Sequence, residues 1–381
     1  MIVGGAQENT WLTVRGLCER GHDVTLLTGP TRGPEGRLLQ GRTPDRLRVV
    51  GESALIRSLN PYADGLAWCR LRRFFRRQQF DVVHTHSSKA GIVGRFAAWP
   101  CTPLVVHTVH GQPFHPWQSA WRNRLYIALE KAAAKRCHHI CAVAQAMIDQ
   151  CVAAEIAPAD QYSVVYSGME LEPYLERPPD PGLRQRLGIP PDAPVVGKVA
   201  RLFELKGHDR LIEAAGTIVE QLPEVRFLLV GDGILRPRLE AMVRERGLQD
   251  RFVFAGLVPP AAIPDYMGAI DILAHLSLRE GLPRTAVQAF AAGKPVVALD
   301  LDGTPEVVID GETGFLLAPE DRRGVADRLL RLLRNPQLRE DMGRRGRELV
   351  RQRFDWQTMV DRLEELYISR LPKATVHGKK F

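Results

Sequence analysis

The chain has 381 residues, of which 45% are hydrophobic and 25% charged, and its net charge is +8. This length indicates two domains of ordinary size, and the composition excludes an intrinsically disordered chain. Its apolar runs are far shorter than the ~20 residues that cross a bilayer, so no transmembrane helix is predicted.

The first half of the chain alternates short β-branched runs with longer amphipathic segments, a pattern typical of parallel α/β architecture. The predicted elements are, in order, a helix at Gln7–Arg20 and strands at Val24–Thr28, Asp81–His84, Leu104–Thr108, His139–Val143 and Ser163–Tyr166. The opening residues Met1–Gly5 leave no room for a full strand before that helix, although the first strand of a doubly wound sheet is usually central. We therefore expect the natural reading frame to begin upstream of Met1.

A proline-rich stretch from Arg177 to Pro194 interrupts this pattern and is predicted to join two domains. Beyond it the architecture repeats, with strands at Val195–Ala200, Arg226–Val230, Phe252–Phe254, Ile270–His275, Pro295–Ala298 and Gly314–Leu317. Helices are predicted at Asp321–Arg334, Gln337–Arg353 and Trp356–Ile368, before a basic tail at Val376–Phe381. We therefore predict domains over residues 1–180 and 181–355, with residues 356–381 forming a helix that packs back toward the first domain, plus the tail.

The segment from Arg57 to Arg95 is strongly basic, with eight Arg or Lys against two Asp. Its densest run comprises Arg70, Arg72, Arg73, Arg76 and Arg77. Three interpretations stay open: a solvated helix face, attraction to an anionic membrane or lipid-diphosphate acceptor, and contact with nucleic acid. No nucleic-acid motif supports the third, so no nucleic-acid partner is predicted.

The cysteines and the N-terminus indicate the compartment. The six cysteines are scattered without Cys-x-x-Cys pairs and are predicted to be reduced thiols. No basic region followed by an apolar run opens the chain, so a cytoplasmic location is predicted.

Ligands of open α/β sheets bind where the strands end, so the loops after the strands carry the candidate chemistry. After Val195–Ala200 come Arg201 and Lys206, five positions apart. Together these two cations suit a diphosphate and could neutralise it without a metal ion. Taken alone, the pair fits equally well two surface charges beside a helix start.

Two later loops in the second half are also candidates. Gly231-Asp232-Gly233 permits either close approach to a ligand or a tight turn. Glu280 precedes a predicted helix whose free amides could bind an anion or a sugar hydroxyl, although Glu280 could also serve only to stabilise the helix dipole. Gln288 lies eight residues further on, about 12 Å along a helix, a distance comparable to that between the sugar and the ribose of a nucleotide-sugar.

In the first half, His110 follows the strand at Leu104–Thr108 in a loop loosened by Gly111. A single histidine is more often structural than catalytic, so both roles stay open. His84 and His86 are expected to alternate across their strand rather than converge, and no metal site is predicted.

Several common catalytic motifs do not occur in this sequence. Asp300 and Asp302 resemble a metal-binding carboxylate pair but are interpreted as a strand end and turn. The sequence has no dinucleotide-binding glycine motif after a strand, no phosphate-binding loop with its lysine, and no serine-nucleophile motif. These absences disfavour dehydrogenase, kinase and esterase activities.

Taken in order, the segments resemble the retaining family 4 glycosyltransferases of GT-B fold over essentially the whole chain. The matching segments are Gly4-Gly5-Ala6-Gln7, His107-Thr108-Val109-His110-Gly111, Ser167-Gly168-Met169-Glu170, Ala200-Arg201-Leu202, Lys206-Gly207, Val230-Gly231-Asp232-Gly233, Phe254-Ala255-Gly256, Glu280-Gly281-Leu282-Pro283, Gly303-Thr304-Pro305-Glu306 and Gly311-Glu312-Thr313-Gly314. The segment from His84 to Gly91 is similar to members that act in surface-polysaccharide or lipopolysaccharide assembly.

The resemblance implies two Rossmann-like doubly wound parallel-sheet domains facing a central cleft, with the acceptor bound by the first and the nucleotide-sugar donor by the second. It implies catalytic roles for His110, Arg201, Lys206 and Glu280. It implies donor binding by Gly4, Gly5, Gly231, Asp232, Gly233, Leu257, Gly281, Leu282, Pro283 and Gln288. The nucleotide-sugar is a co-substrate, so neither a cofactor nor a metal is expected.

The implied reaction is retaining transfer from a UDP- or GDP-sugar to a glycan or lipid-diphosphate-linked acceptor, with same-face attack as the nucleoside diphosphate departs. The basic run from Arg70 to Arg77 would then contact the inner face of the cytoplasmic membrane. Alternatives are a nucleotide-sugar epimerase of GT-B fold and a catalytically silent nucleotide-sugar-binding protein. Gln288 replaces the second glutamate usual in the family, and a neutral amide should weaken the bond to the ribose by ~1 kcal/mol.

Overall fold

The computed structural model describes residues 5–30, 44–56, 58–176, 178 and 180–372. The chain divides into two compact units: the first comprises Met1–Met169 and Phe354–Phe381, and the second Glu170–Arg353. The proline pattern places the boundaries at residues 180 and 355, whereas the chain passes from one unit to the other after Met169 and after Arg353. The expectations about Met1, Gly4 and the tail at Val376–Phe381 lie outside the described residues.

The described part of the first unit contains two parallel sheets. Strands β1 (Val24–Thr28) and β2 (Leu47–Gly51) form one, and β3 (Val82–His86), β4 (Leu104–Val109), β5 (His139–Ala142) and β6 (Tyr162–Val164) form the other in the order β3-β4-β5-β6. Among the described residues no hydrogen-bonded ladder joins these two sheets. The β-branched runs thus predicted five of the six strands and missed β2, whose five residues are all exposed or only half buried.

Helices cover both faces of the four-stranded sheet. The described helices of the first unit are α1 (Gly5–Glu19), α2 (Pro61–Gln78), α3 (Ser88–Ala98), α4 (Ala120–Ala134), α5 (Gln145–Ala153) and the last helix that the structure describes, Trp356–Arg370. α1 and the last helix pack with Val82, Leu104 and Val106 in one apolar cluster. α2 and α3 pack with Val83 and Val105 in another, as the alternation of side chains along a strand requires. α4 lies next to α3.

Local sequence signals set the start of α2. Pro61 occupies its first turn, and the Asn60 side chain accepts a hydrogen bond from the Ala63 amide at 3.0 Å.

No helix in the described part of the chain is long and apolar enough to cross a membrane.

The second unit is a six-stranded parallel sheet in the order β12-β11-β10-β7-β8-β9. Its strands are β7 (Val195–Val199), β8 (Arg226–Val230), β9 (Phe252–Gly256), β10 (Ile272–His275), β11 (Val296–Leu299) and β12 (Gly314–Leu317). Its helices are α6 (Glu172–Leu175), α7 (Leu183–Arg186), α8 (His208–Gln221), α9 (Arg236–Glu245), α10 (Ile263–Ala269), α11 (Arg284–Ala291), α12 (Arg322–Leu333) and α13 (Pro336–Arg353). The helix Trp356–Arg370 of the first unit is α14. All six predicted strands are present.

The prediction of two Rossmann-like parallel α/β domains is therefore confirmed. In the second unit the strand order reverses between β7 and β10, which are neighbours in the sheet although two strands and several helices separate them along the chain. Doubly wound sheets bind their ligands at such a switch point, beyond the carboxyl ends of the strands.

Candidate active site

The loops that follow β7, β8 and β10 are held together by backbone hydrogen bonds at the switch point. The Leu202 amide donates to the Asp232 carbonyl at 3.0 Å, which joins the loop after β7 to the loop after β8. The Leu278 amide donates to the Leu205 carbonyl at 2.8 Å, which joins the loop after β10 to the same segment. The three segments singled out by the sequence thus form one surface.

Two glycines allow these loops to approach so closely. A Cβ atom on Gly207 would lie 1.9 Å from the Leu276 carbonyl oxygen, and one on Gly231 would lie 2.1 Å from that of Ala200. Both residues also have positive φ angles, of 67° and 132°, which favour glycine. Gly207 and Gly231 are therefore required by loop packing.

A partly buried ion pair lies on this surface. Lys206 Nζ is 2.6 Å from Glu280 Oε1, and the two side chains are only 24% and 17% exposed. Burial alone would raise the pKa of Glu280, but the Lys206 ammonium and, less strongly, His275 outweigh it, so the pKa is lowered. Glu280 is therefore a carboxylate at neutral pH, in contact with a cation.

His275 and Asp302 complete the surroundings of Glu280, and neither was predicted as a site residue. His275 Nε2 lies 3.6 Å from Glu280 Oε1, and its Nδ1 lies 3.0 Å from Thr285 Oγ1. Burial lowers the pKa of His275 to about 4, so the ring is neutral at neutral pH. The Asp302 carboxylate accepts a hydrogen bond from the Glu280 amide at 2.9 Å, a positioning role that its interpretation as a simple turn missed.

Arg201 makes a contact different from that of Lys206. Its side chain is exposed, and its guanidinium lies 5.1 Å from the centre of the Phe203 ring. The two cations expected to act together therefore differ in their contacts: Lys206 is paired with Glu280, and Arg201 lies on an aromatic ring that leaves it accessible.

The remaining donor-site predictions fall in the second unit, except Gly4, which is outside the described residues, and Gly5, which begins α1. Gly233 adjoins Leu202, because a Cβ atom there would lie 2.4 Å from the Leu202 carbonyl oxygen. Gly281, Leu282 and Pro283 lead directly into α11, which begins at Arg284 and contains Gln288. Leu257 follows β9 and is 50% exposed.

Two buried basic side chains lie beneath the Lys206–Glu280 pair. Lys198 on β7 is 1% exposed, and its ammonium has one long contact, at 3.4 Å, with the Ala274 carbonyl. Burial first, and then repulsion by Lys206, lower the pKa of Lys198 to about 7. Burial and the same two lysines lower the pKa of His208 to about 2, so this ring is neutral.

In the first unit, three histidines converge where β3 and β4 end. His86 Nδ1 lies 2.9 Å from His110 Nε2, and the two rings stack with their centres 5.2 Å apart. The ring centres of His84 and His86 are 4.3 Å apart, so the expectation that these two diverge is wrong. Residues two apart on a strand share a face, whereas immediate neighbours alternate.

Hydrogen bonds and burial fix the state of these rings. His84 Nε2 lies 2.7 Å from Thr108 Oγ1, and its Nδ1 bonds to the Tyr367 hydroxyl. Burial lowers the pKa of His86 to about 4 and that of His84 well below its usual value. A neutral imidazole has one N–H and one acceptor nitrogen, so in the contact between His86 and His110 one ring donates and the other accepts.

A cavity of about 200 Å³ lies beside His110. Its lining combines the polar side chains of His107, His110 and Gln112 with apolar ones such as Phe114 and Ile140. Such a lining suits a small group that carries hydroxyls. Within the described residues no group of three or more His, Cys, Asp or Glu side chains could hold a metal ion.

Two Rossmann-like units, the second with a lysine–glutamate pair at its switch point, define the class of two-domain glycosyltransferases with GT-B fold. The family model for Glycosyltransferase Family 4 matches residues 3–173, and that for Glycosyl transferases group 1 matches residues 180–349. The chain belongs to this family of glycosyltransferases.

Similar proteins extend over most of the chain. A 2-deoxystreptamine glucosyltransferase of Streptomyces kanamyceticus is 31% identical over 86% of this chain and 85% of its own length. The UDP-Gal:alpha-D-GlcNAc-diphosphoundecaprenol alpha-1,3-galactosyltransferase of Escherichia coli is 29% identical over 85% of this chain and 84% of its own length. The structure of Anabaena HepE in complex with UDP is similar with a TM-score of 0.80 and 27% identity, over 96% of each chain.

Proposed function

We propose that this glycosyltransferase is a retaining enzyme that moves a sugar from a nucleotide-sugar, UDP-linked in preference to GDP-linked, to a glycan or lipid-diphosphate-linked acceptor without a metal ion. The observation that carries the proposal is the partly buried Lys206–Glu280 pair, with 2.6 Å between Nζ and Oε1, at the switch point of the second unit.

The pair has the right chemistry for both parts of a nucleotide-sugar. The Lys206 ammonium would bind the donor diphosphate, and the long exposed Arg201 side chain could turn from Phe203 to supply a second cation. Glu280, released from Lys206, would accept hydrogen bonds from the sugar hydroxyls, while Asp302 holds its backbone in place. As the bond from the anomeric carbon to the diphosphate breaks, these cations would stabilise the charge that develops on the leaving oxygens.

Two similar proteins support the choice of donor and acceptor. The Escherichia coli relative takes galactose from UDP and transfers it to a diphosphoundecaprenol-linked sugar, and HepE binds UDP. A lipid-linked acceptor would also suit the exposed arginines Arg73, Arg76 and Arg77 on α2, which would contact the anionic inner face of the membrane.

The first unit would bind the acceptor. The cavity beside His110 would receive the sugar that carries the attacking hydroxyl, and the neutral His86 would orient the His110 ring. In a same-face reaction the attacking hydroxyl replaces the diphosphate at the anomeric carbon, and its proton passes to the departing diphosphate. The work of the protein is then positioning and charge stabilisation.

A ligand screen followed by product analysis tests the proposal. Thermal shifts with UDP, GDP and their hexose conjugates, in the presence of EDTA, should show stabilisation by UDP, and NMR of the transfer product should show the anomeric configuration of the donor. Activity lost in EDTA would contradict metal independence, and an inverted product would contradict retention. An epimerised nucleotide-sugar or binding without turnover would identify one of the alternative activities instead.

A further inference from the structure

The outer face of α4 exposes an apolar stripe. Trp121 is 63% exposed, Leu125 44% and Leu129 36%, and Trp117, just before the helix, is 62% exposed. Positions 121, 125 and 129 follow the spacing of one helix face, so these side chains form a continuous stripe along the helix. Helices at the surface of a globular protein usually bury such a stripe against the core, but here it points into solvent.

Basic residues border this stripe. Arg122, Arg124, Lys131, Lys135 and Arg136 flank it, and the Arg122 guanidinium lies 5.3 Å from the centre of the Trp121 ring. Within residues 117–136, all of them described, the sole acidic residue is Glu130, which is buried and paired with Arg95 at 2.6 Å. Lys131 forms an ion pair with Glu155, with 3.1 Å between Nζ and Oε2. The face is therefore apolar at its centre and positive at its edges.

The same character continues toward α2. An open groove of about 550 Å³ follows the end of α4 and is lined by Trp68, Arg72, Phe96, Trp99 and Arg136. The Arg72 guanidinium lies 5.5 Å from the centre of the Trp68 ring. Aromatic side chains beside arginines thus extend over the helix layer formed by α2, α3 and α4.

We propose that the α4 face, defined by Trp117, Trp121, Leu125 and Leu129 with Arg122 and Arg124, docks on the surface of an anionic lipid bilayer. Tryptophan and leucine would enter the interface between head groups and acyl chains, and the flanking cations would bind lipid phosphates. The charge pattern favours a bilayer over a second copy of the chain, because a symmetric contact would bring the arginines of both copies together.

This inference deepens the proposed function, because an enzyme with a lipid-linked acceptor has to reach the membrane. The reason for docking rests on the proposed function, whereas the docking itself does not. The α2 arginines would then add long-range attraction, whereas the α4 face would supply the apolar insertion. Vesicle binding by the full chain needs neither donor nor acceptor, so it can succeed or fail independently of the transferase activity.

Co-sedimentation of the full chain with phosphatidylcholine vesicles, with and without phosphatidylglycerol, tests the proposal. We expect binding only to the anionic vesicles and weaker binding at high salt. Leu125→Ser combined with Trp121→Ser should lower partitioning at least about tenfold, as should Arg122→Gln combined with Arg124→Gln. The matched control is Ile368→Ser, which removes a similarly exposed apolar side chain (48%) from α14 and should bind as the wild type does.

Folding and oligomeric state are checked alongside by far-UV circular dichroism, UDP binding and light scattering. Absence of wild-type binding to anionic vesicles would overturn the proposal, as would α4 variants that fold and still bind like the wild type. A wild-type dimer that Trp121→Ser converts to a monomer would assign the face to a second copy instead. Vesicle binding by a protein that does not bind UDP would support the proposed role of the α4 face and contradict the proposed donor.

Discussion

Both units place their candidate chemistry at the carboxyl ends of adjacent parallel strands. The side chains are charged in the second unit and neutral in the first. In the second unit a lysine and a glutamate form a partly buried ion pair. In the first unit His84 and His86 are partly buried and neutral, and His86 contacts His110. The sheet edge therefore supplies the location, whereas the side chains at the strand ends and in the loops that follow decide whether it suits an anionic donor or an uncharged hydroxyl.

The largest expected effect is on the charged side of this comparison. Lys206→Met removes the cation proposed to bind the diphosphate and leaves the partly buried Glu280 without this partner, so kcat/KM should fall by about 10²–10³. Steady-state kinetics and calorimetric titration with UDP measure the loss. Arg344→Met, which removes the partner of Asp341 from an exposed ion pair, is the control and should leave both quantities unchanged. Equal kinetics for Lys206→Met and the wild type would refute the assignment.

The neutral histidines of the first unit predict that the protein loses stability in acid. A histidine whose pKa is lowered on folding does not change the free energy of unfolding with pH above about pH 6.5, because it is neutral in both the folded and the unfolded state. Below that pH the unfolded chain takes up a proton that the native state does not, so the native state loses stability. With the pKa of His86 at about 4, this residue should lower the free energy of unfolding by about 3 kcal/mol between pH 6.5 and 4.

Tryptophan fluorescence can follow this loss in one unit alone, because all six tryptophans belong to the first unit. Denaturant unfolding of the wild type and His86→Asn at several pH values is the measurement. The variant should lose less stability than the wild type as the pH falls. Parallel curves for the two proteins would mean that His86 is not neutral in the native state.

The hydrogen bond between His86 and His110 predicts a smaller catalytic effect. His86→Phe keeps an aromatic ring but loses the nitrogen, so kcat should fall about 30-fold while the KM for the donor stays unchanged. His86→Asn, whose side-chain amide can occupy the position of Nδ1, should recover much of the loss. A purely structural role for His86 would instead predict that both variants lower the stability and leave the kcat of the folded enzyme unaltered.

The smallest expected effect concerns Gln288 on α11. The family resemblance assigns Gln288 to the ribose hydroxyls, so Gln288→Glu, which supplies a charged acceptor, should tighten UDP binding about fivefold, whereas Gln288→Ala should weaken it. Isothermal titration with UDP and with UMP gives both values. Weaker binding by Gln288→Glu would place this residue next to the phosphates rather than the ribose.

Much of the fold followed from local pattern. β-Branched runs predicted all six strands of the second unit, and glycines marked the loops that later proved to pack closely. β2 was not predicted, because Leu47–Gly51 is an edge strand without a buried face. The prolines marked the crossing between the units only approximately, since the chain leaves the first unit after Met169, before the first of them.

The sequence by itself therefore determined which residues follow strand ends, because side-chain periodicity and turn residues are local properties. Only the tertiary structure decided which of them meet. Lys206 and Glu280 are 74 positions apart and touch because β7 and β10 are neighbours in the sheet, and Asp302 reaches Glu280 from the end of β11 for the same reason. His86 and His110 likewise meet across β3 and β4. Strand order depends on how the whole sheet buries its apolar surface, which no short segment encodes.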